Sequence, residues 1–187
     1  MRSIEEALQS LNLQSLAEFF DHNAGILHRG RYHREGFDVH CYLVIGNMLA
    51  EYEAGRTSID AVIAACLHDI AKPRTAALNK RGDACFYGHE KVTDEELASF
   101  LDPGYPGFER VAAMVRAHML PHQMAEQASP KLQKRYDALL ERFGEAFGQD
   151  LAILAECDDK GCVRDDADLP AAIKAAEETR RKLLLGL

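Results

Sequence analysis

Four side chains able to bind a metal ion stand where their neighbours call for a core residue. In the helical stretch that follows Ser58, Ala61, Ala64 and Ala65 lead to His68 at the i, i+3, i+4, i+7 spacing of one buried face. Val111, Met114 and Val115 lead to His118 in the same way, and Leu151, Leu154 and Ala155 lead to Asp158. His40 shows the mirror arrangement, preceding Leu43 and Val44. Taken singly, each reads as a hydrogen-bonded core residue, and Asp158 has Lys160 or a distant arginine as a possible partner. Taken together, four ionisable groups directed inward from four helices are costly unless something pairs with them. A shared divalent cation is the economical partner. Asp69, directly after His68, and His89, in Gly88-His89-Glu90 at an expected helix start, then join the set. Mixed imidazole and carboxylate ligation suits Mn²⁺, Fe²⁺, Co²⁺, Ni²⁺ or Zn²⁺ and admits Mg²⁺, without choosing among them.

The elements that must position these groups are helical almost throughout. Ser3-x-x-Glu6 reads as a capping box ahead of Leu8, Leu11, Leu16, Phe19 and Phe20. A second helix is expected over about 37–52, ended near Gly55, and a third from the Ser58 cap to a stop before Pro73. Residues 73–88 are rich in turn formers and basic groups and read as a loop. Further helices are expected over about 89–101, 108–119, 130–143, 149–160 and 170–184, with Ser129-Pro130 as a cap and first-turn pair. There are no alternating Val/Ile/Thr runs and no Asn-Gly hairpin turns. The expected class is all-α, a single-domain helical bundle of about seven to eight helices.

Composition bounds the partners. A chain of 187 residues is read as one domain, because two halves would each be too small for a comfortable core. The net charge is −8, which argues against a general nucleic-acid or anionic-membrane binder. The longest early stretch without Lys, Arg, Asp or Glu, Val39–Ala50, contains His40 and Asn47 and is too short to span a membrane. Arg2-Ser3-Ile4-Glu5-Glu6 reads as an acidic helix start, so no secretion signal is expected there. Cys41, Cys66, Cys85, Cys157 and Cys162 form no Cys-x-x-Cys pair and are odd in number, so reduced thiols in a cytoplasmic protein are expected.

His40, then Leu67-His68-Asp69-Ile70, then Asp158 resemble the H…HD…D pattern of the HD-domain metal-dependent phosphohydrolase superfamily. His68-Asp69-Ile70-Ala71-Lys72-Pro73, Phe86-Tyr87-Gly88-His89-Glu90 and Val115-Arg116-Ala117-His118-Met119 are similar to the HD domain attached to bacterial CCA-adding tRNA nucleotidyltransferases. Asp158-Asp159-Lys160-Gly161 resembles the Asp-x-x-Gly that closes that domain, a spacing that selects Asp158 over Asp159. The matched segments run from about residue 38 to 162; no nucleotidyltransferase domain is expected within these 187 residues, so only the HD part of the resemblance carries over.

The resemblance implies that His40, His68, Asp69 and Asp158 hold one metal. His89 and His118 would hold a second, with Asp69 bridging, as in six-ligand HD proteins. Two ions roughly 3.5–4 Å apart stabilise attacking and leaving oxygens in phosphoryl transfer. The implied function is a phosphomonoesterase or phosphodiesterase in which metal-activated water attacks phosphorus. The partner would be a small phosphorylated substrate, a nucleotide or a 2′,3′-cyclic phosphate. Lys72, in the His-Asp-x-x-Lys position, would contact a phosphate oxygen; its other reading is a solvated charge at a helix C-terminus. Asp69, Lys72 and Glu90 are the catalytic candidates, Glu90 either orienting His89, acting as general base, or compensating a helix dipole. Lys72, Arg74, Arg116 and His122 are the substrate-binding candidates, with Lys80 and Arg81 in the same basic loop as Arg74. His122 follows Pro121, which should end the helix, so it is a loop histidine or a substrate contact. The cluster over residues 28–34, with Arg29, Arg31 and Arg34, either focuses anions or is an exposed loop. Two other readings stand beside the hydrolase: a mixed-valent diiron HD oxygenase, and a non-catalytic HD module that binds a nucleotide or a protein partner.

Overall fold

A computed structural model describes residues 4–26 and 33–185. The chain opens with α1 (Ile4–Leu8) and α2 (Leu13–Asn23). The break between them has a local cause. Asn12 accepts a hydrogen bond from the Ser15 amide through its side chain and so starts a new helix. The Asn12 amide donates to Phe100 O and the Asp102 amide to Ser10 O, fastening this corner to a distant segment. Ser3 of the expected capping box lies outside the described residues.

α3 (Phe37–Glu53) and α4 (Ile59–Leu67) follow, with the Ser58 hydroxyl capping α4 by accepting from the Ala61 amide. The segment read as a loop holds more order than expected. A one-turn helix α5 (Lys72–Thr75) has Pro73 in its first turn, and β1 (Ala77–Leu78) pairs antiparallel with β2 (Ala84–Cys85). Asn79 closes this hairpin, its side-chain oxygen accepting from the Arg81 and Asp83 amides. These strands are too short to carry an alternating pattern, which is why no strand signal precedes them. The helix expected from His89 begins later: α6 (Asp94–Ala98) starts at Thr93, which forms a capping box with Glu96. His89 and Glu90 therefore lie in a turn and not at a helix N-terminus.

α7 (Phe108–Ala117), α8 (Leu120–Glu126), α9 (Pro130–Phe143), α10 (Glu145–Lys160) and α11 (Leu169–Leu185) complete the fold. Pro121 opens α8 instead of ending a helix, since the first turn needs no amide donor there. His122 is consequently helical. The described residues form eleven helices and one two-stranded ribbon, more pieces than expected but the same all-α class. None of the helices among these residues is long and apolar enough to cross a membrane.

The core is built around α3 and α4. Ala61–Leu67 is buried at every position, as befits a helix surrounded by others, and its four small side chains (Ala61, Ala64, Ala65 and Cys66) allow close approach. α3 packs on α4, α10 and α11, burying Phe37, Val44, Ile45 and Met48. Gly161, just past α10, sits against α3: a Cβ there would lie 2.6 Å from Val44 Cγ2. The start of α4 is pinned by the buried Asp150 of α10. Its carboxylate accepts from Thr57 Oγ1 at 2.7 Å, the Ser58 amide at 3.0 Å and Ser58 Oγ at 2.5 Å, and pairs with Arg110 Nη2 at 2.5 Å.

Candidate metal centre

Helix ends deliver the polar groups into this core. His68 and His118 each occupy the residue that closes a helix, α4 and α7, while His40 lies in the first turn of α3 and Asp158 in the last turn of α10. One local device orients three of the rings. His68 Nδ1 donates to Ala65 O at 2.8 Å, His89 Nδ1 to Phe86 O at 2.7 Å and His118 Nδ1 to Val115 O at 2.7 Å, each a carbonyl three residues back. His40 Nδ1 donates to Gly161 O at 3.2 Å. A carbonyl only accepts, so in the neutral rings the proton resides on Nδ1 and the lone pair on Nε2.

The Nε2 atoms converge on Asp69. Its Oδ2 lies 3.1 Å from His68 Nε2 and 3.4 Å from His40 Nε2, whereas its Oδ1 lies 3.5 Å from His89 Nε2 and 3.9 Å from His118 Nε2. One carboxylate thus faces two pairs of imidazoles, one oxygen to each. Asp158 Oδ1 adds to the first pair, 3.1 Å from His40 Nε2 and 3.8 Å from His68 Nε2. In the second pair, His89 Nε2 and His118 Nε2 stand 3.0 Å apart. Two lone pairs at that distance repel unless a positive centre lies between them. About 3.0 Å is also the separation of two nitrogens bound at right angles to one ion by bonds of about 2.1 Å. His68 Nε2 and Asp69 Oδ1 are buried without a hydrogen bond, which the interior tolerates poorly unless a ligand satisfies them. By donor type, orientation and spacing, these residues fit divalent cations.

The electrostatics agree. Burial pushes the Asp69 carboxyl up, but the His68 and Lys72 charges outweigh it and hold the group well below the usual carboxylate range. Lys72 Nζ is 2.6 Å from Asp69 Oδ2 and 5.5 Å from the centre of the Phe86 ring. Burial opposes its charge, and Asp69 and Asp158 restore it and raise its pKa. Burial and the Lys72 charge also oppose protonation of His40, yet Asp158 and Asp69 hold it well above its ordinary value. Cation binding would displace that proton.

His118 moves the other way, pushed down to about 3 by burial and by the neighbouring His89 and His68 rings. The unfolded chain titrates this group near 6.5, so between 6.5 and about 3 only the unfolded state takes up the proton. Stability contributed by His118 therefore falls as pH falls through that window. The upward-shifted His33, His40 and His122 contribute at full strength below their ordinary values and add no slope there. The melting temperature of the cation-free protein is expected to drop from pH 6.5 to 5, and to drop less in His118→Gln.

A cavity of about 470 Å³ opens beside these groups, lined by Lys72, His89 and Asp158, by Phe86 and Tyr87 after the hairpin, and by His122 and Glu126 of α8. The segment read as a loop over 73–88 thus borders the site as a hairpin, and His122, read as a loop histidine or a substrate contact, borders it from a helix. His122 Nε2 lies 3.5 Å from Asp158 Oδ2, and that carboxylate raises the ring's pKa.

Other expected residues go elsewhere. Arg74 pairs with Glu96 and donates to Lys91 O, and Arg116 donates to Val92 O and to Asp94 at 2.6 Å; neither lines the cavity. Both guanidiniums have carboxylates nearer than the site, and α6 supplies them. Glu90 is half-buried in its turn and does not line the cavity either. Lys80 and Arg81 are at the hairpin tip, while Arg29 and Arg31 lie outside the described residues.

Three residues of the site neighbourhood were not among the candidates. Glu35 is fully buried and accepts from His33 Nδ1 at 2.6 Å and from the Arg34 and Val163 amides. His33 and Cys162 line the cavity. His33 falls within the 28–34 cluster, and otherwise the signal in the sequence is proximity to His40 and Asp158, since none of the three sits on an apolar helical face.

The family model for the HD domain matches residues 40–159, most of the chain and all six converging residues. The chain belongs to the HD domain family, whose members are mostly metal-dependent hydrolases. No curated protein and no solved structure matches it.

Proposed function

We propose that the chain is a divalent-cation-dependent phosphohydrolase acting on a small phosphate ester, with nucleotides or 2′,3′-cyclic phosphates as the substrate class. The observation that carries this reading is Asp69 set between two imidazole pairs, one carboxylate oxygen directed at each. His40, His68, Asp158 and Asp69 Oδ2 would hold one ion, and His89, His118 and Asp69 Oδ1 a second. When bound, Mn²⁺, Fe²⁺, Co²⁺, Ni²⁺, Zn²⁺ or Mg²⁺ would supply the Lewis acidity that polarises a phosphoryl oxygen and activates water.

The chain's own residues do the rest. The Lys72 ammonium, anchored on Asp69 and on the cavity wall, orients a phosphoryl oxygen by charge and hydrogen bonding. The His122 ring, held near Asp158 at the cavity surface, is placed to give a proton to the departing oxygen. Phe86 and Tyr87 provide an aromatic wall suited to a base.

Elemental analysis of freshly purified protein, followed by a screen of each cation against cyclic, mono- and polyphosphorylated nucleotides, tests the reading. We expect one to two equivalents of cation and phosphate release that EDTA abolishes. Protein that takes up no cation on reconstitution with Mn²⁺, Ni²⁺, Fe²⁺ or Zn²⁺, and releases no phosphate, would overturn it.

A further inference from the structure

We infer that Cys162 is a second reactive centre on the wall of the same cavity: a nucleophilic thiol, served by His33 and Glu35, that reduces hydroperoxides and becomes a sulfenic acid. The three residues lie outside the segment matched by the HD family. Folding brings them together from 129 positions apart.

Glu35 is the fixed member. It is fully buried, one carboxylate oxygen accepting from His33 Nδ1 at 2.6 Å and the other from the Arg34 amide at 2.9 Å and the Val163 amide at 3.0 Å. The Arg34 amide also donates to Val163 O at 2.8 Å, so the 33–35 and 162–163 segments are clamped backbone to backbone. An ionised carboxylate can only accept, which puts the His33 proton on Nδ1 and a lone pair on Nε2. That Nε2 is 4.0 Å from Cys162 Sγ. The thiol has two acceptors beside it, Asp158 O at 3.4 Å and His33 Nε2 at 4.0 Å, and transfer to His33 needs the hydrogen turned from the first to the second. Nucleophile, base and orienting carboxylate are the ordered set by which thiol chemistry is activated.

The other cysteines lack this setting. Cys41, Cys66 and Cys157 are sealed in the core. Cys85 is half-exposed and its thiol donates to Ala77 O at 3.4 Å, as Cys162 does to Asp158 O, but among the described residues no imidazole stands beside it. His33, His40 and Cys162 are also near enough to share a cation. His40, however, already turns one nitrogen to Gly161 O and the other to Asp69 and Asp158.

The reaction balances without any further reductant. Cys162 passes its proton to His33 Nε2, the sulfur attacks one peroxide oxygen, an S–O bond forms and the O–O bond breaks. The leaving hydroxide or alkoxide takes the proton from His33 and departs as water or alcohol. Sulfur is oxidised to S–OH and the peroxide reduced. The new oxygen projects into the cavity next to Asp158, so oxidation obstructs the site. That regulatory consequence alone rests on the hydrolase reading.

The test uses full-length protein reconstituted with redox-inert Zn²⁺, exposed to hydrogen peroxide with dimedone as a sulfenic-acid trap, and mapped by mass spectrometry. The Cys162 adduct is expected to form at least about tenfold faster than any Cys85 adduct. In His33→Gln the Cys162 rate should fall to that of Cys85, with the Cys85 rate and zinc content unchanged. Equal rates at the two cysteines in the parent protein, or an unaltered Cys162 rate in His33→Gln, would overturn the proposal. A thiolate-to-cobalt charge-transfer band in the Co²⁺-loaded protein that disappears in Cys162→Ser would also overturn it, by making the thiol a ligand. Where the parent protein hydrolyses a phosphate ester, peroxide should suppress and dithiothreitol restore that activity; full activity of the adducted protein removes the regulatory role. Failure to find hydrolysis bears on the proposed function, and the adduct rates still decide the thiol.

Discussion

Asp69→Ala is expected to empty both cation positions at once and to lower phosphate release by about a thousandfold or more. The magnitude follows from losing several kcal/mol of charge stabilisation in the transition state, at about 1.4 kcal/mol per factor of ten. The reason for a double loss is geometric: Oδ2 faces His40 and His68 and Oδ1 faces His89 and His118, and among the described residues Asp69 alone is shared by the two groups. Lys72 would also lose its nearest carboxylate, in Asp69→Asn as in Asp69→Ala; the Asn variant keeps the shape and an acceptor oxygen and so separates lost charge from lost volume. Elemental analysis alongside far-ultraviolet circular dichroism checks the result. Retention of parental cation content and turnover by a variant of unchanged helicity would contradict the bridging role.

The second large effect is structural. Asp150→Ala is expected to destabilise the fold by about 3–5 kcal/mol, the range for breaking a buried ion pair and its hydrogen bonds on one side. The substitution strands the Ser58 amide and removes one of the two carboxylates of Arg110, the other being Asp60 at 3.3 Å. It acts at the start of α4, whereas His68 closes the opposite end of that helix. Urea denaturation should therefore show a lower midpoint, while the folded protein keeps its cation content. A loss below about 1 kcal/mol would mean that the Thr57, Ser58 and Arg110 contacts add little to the hydrogen bonds their groups make with water in the unfolded chain.

The two substitutions separate what is local from what is not. His68, His118 and Asp158 announce themselves because an apolar stripe three and four residues apart fixes which way the next turn points. Helix geometry is set by neighbours within a turn, so it is written along the chain. Caps are equally local, and Ser58 starts α4 and Pro130 starts α9 as the residues alone require. His122 and His89 were harder because proline and glycine permit more than one local outcome. Pro121 opened a helix it was expected to end, and His89 fell in a turn ahead of the Thr93 cap.

Residue types and their spacing suffice for the all-α class, the HD pattern and the set of residues chemically able to meet. Tertiary structure decided which oxygen of Asp69 faces which imidazole pair, and that Arg74 and Arg116 spend their charge on Glu96 and Asp94. It also decided that Asp150 ties two helices, and that Glu35 and His33 reach Cys162. The difference is physical. Helical periodicity arises from contacts within about one turn, whereas ion pairs and buried hydrogen bonds join residues whose separation in sequence carries no information about their distance in space.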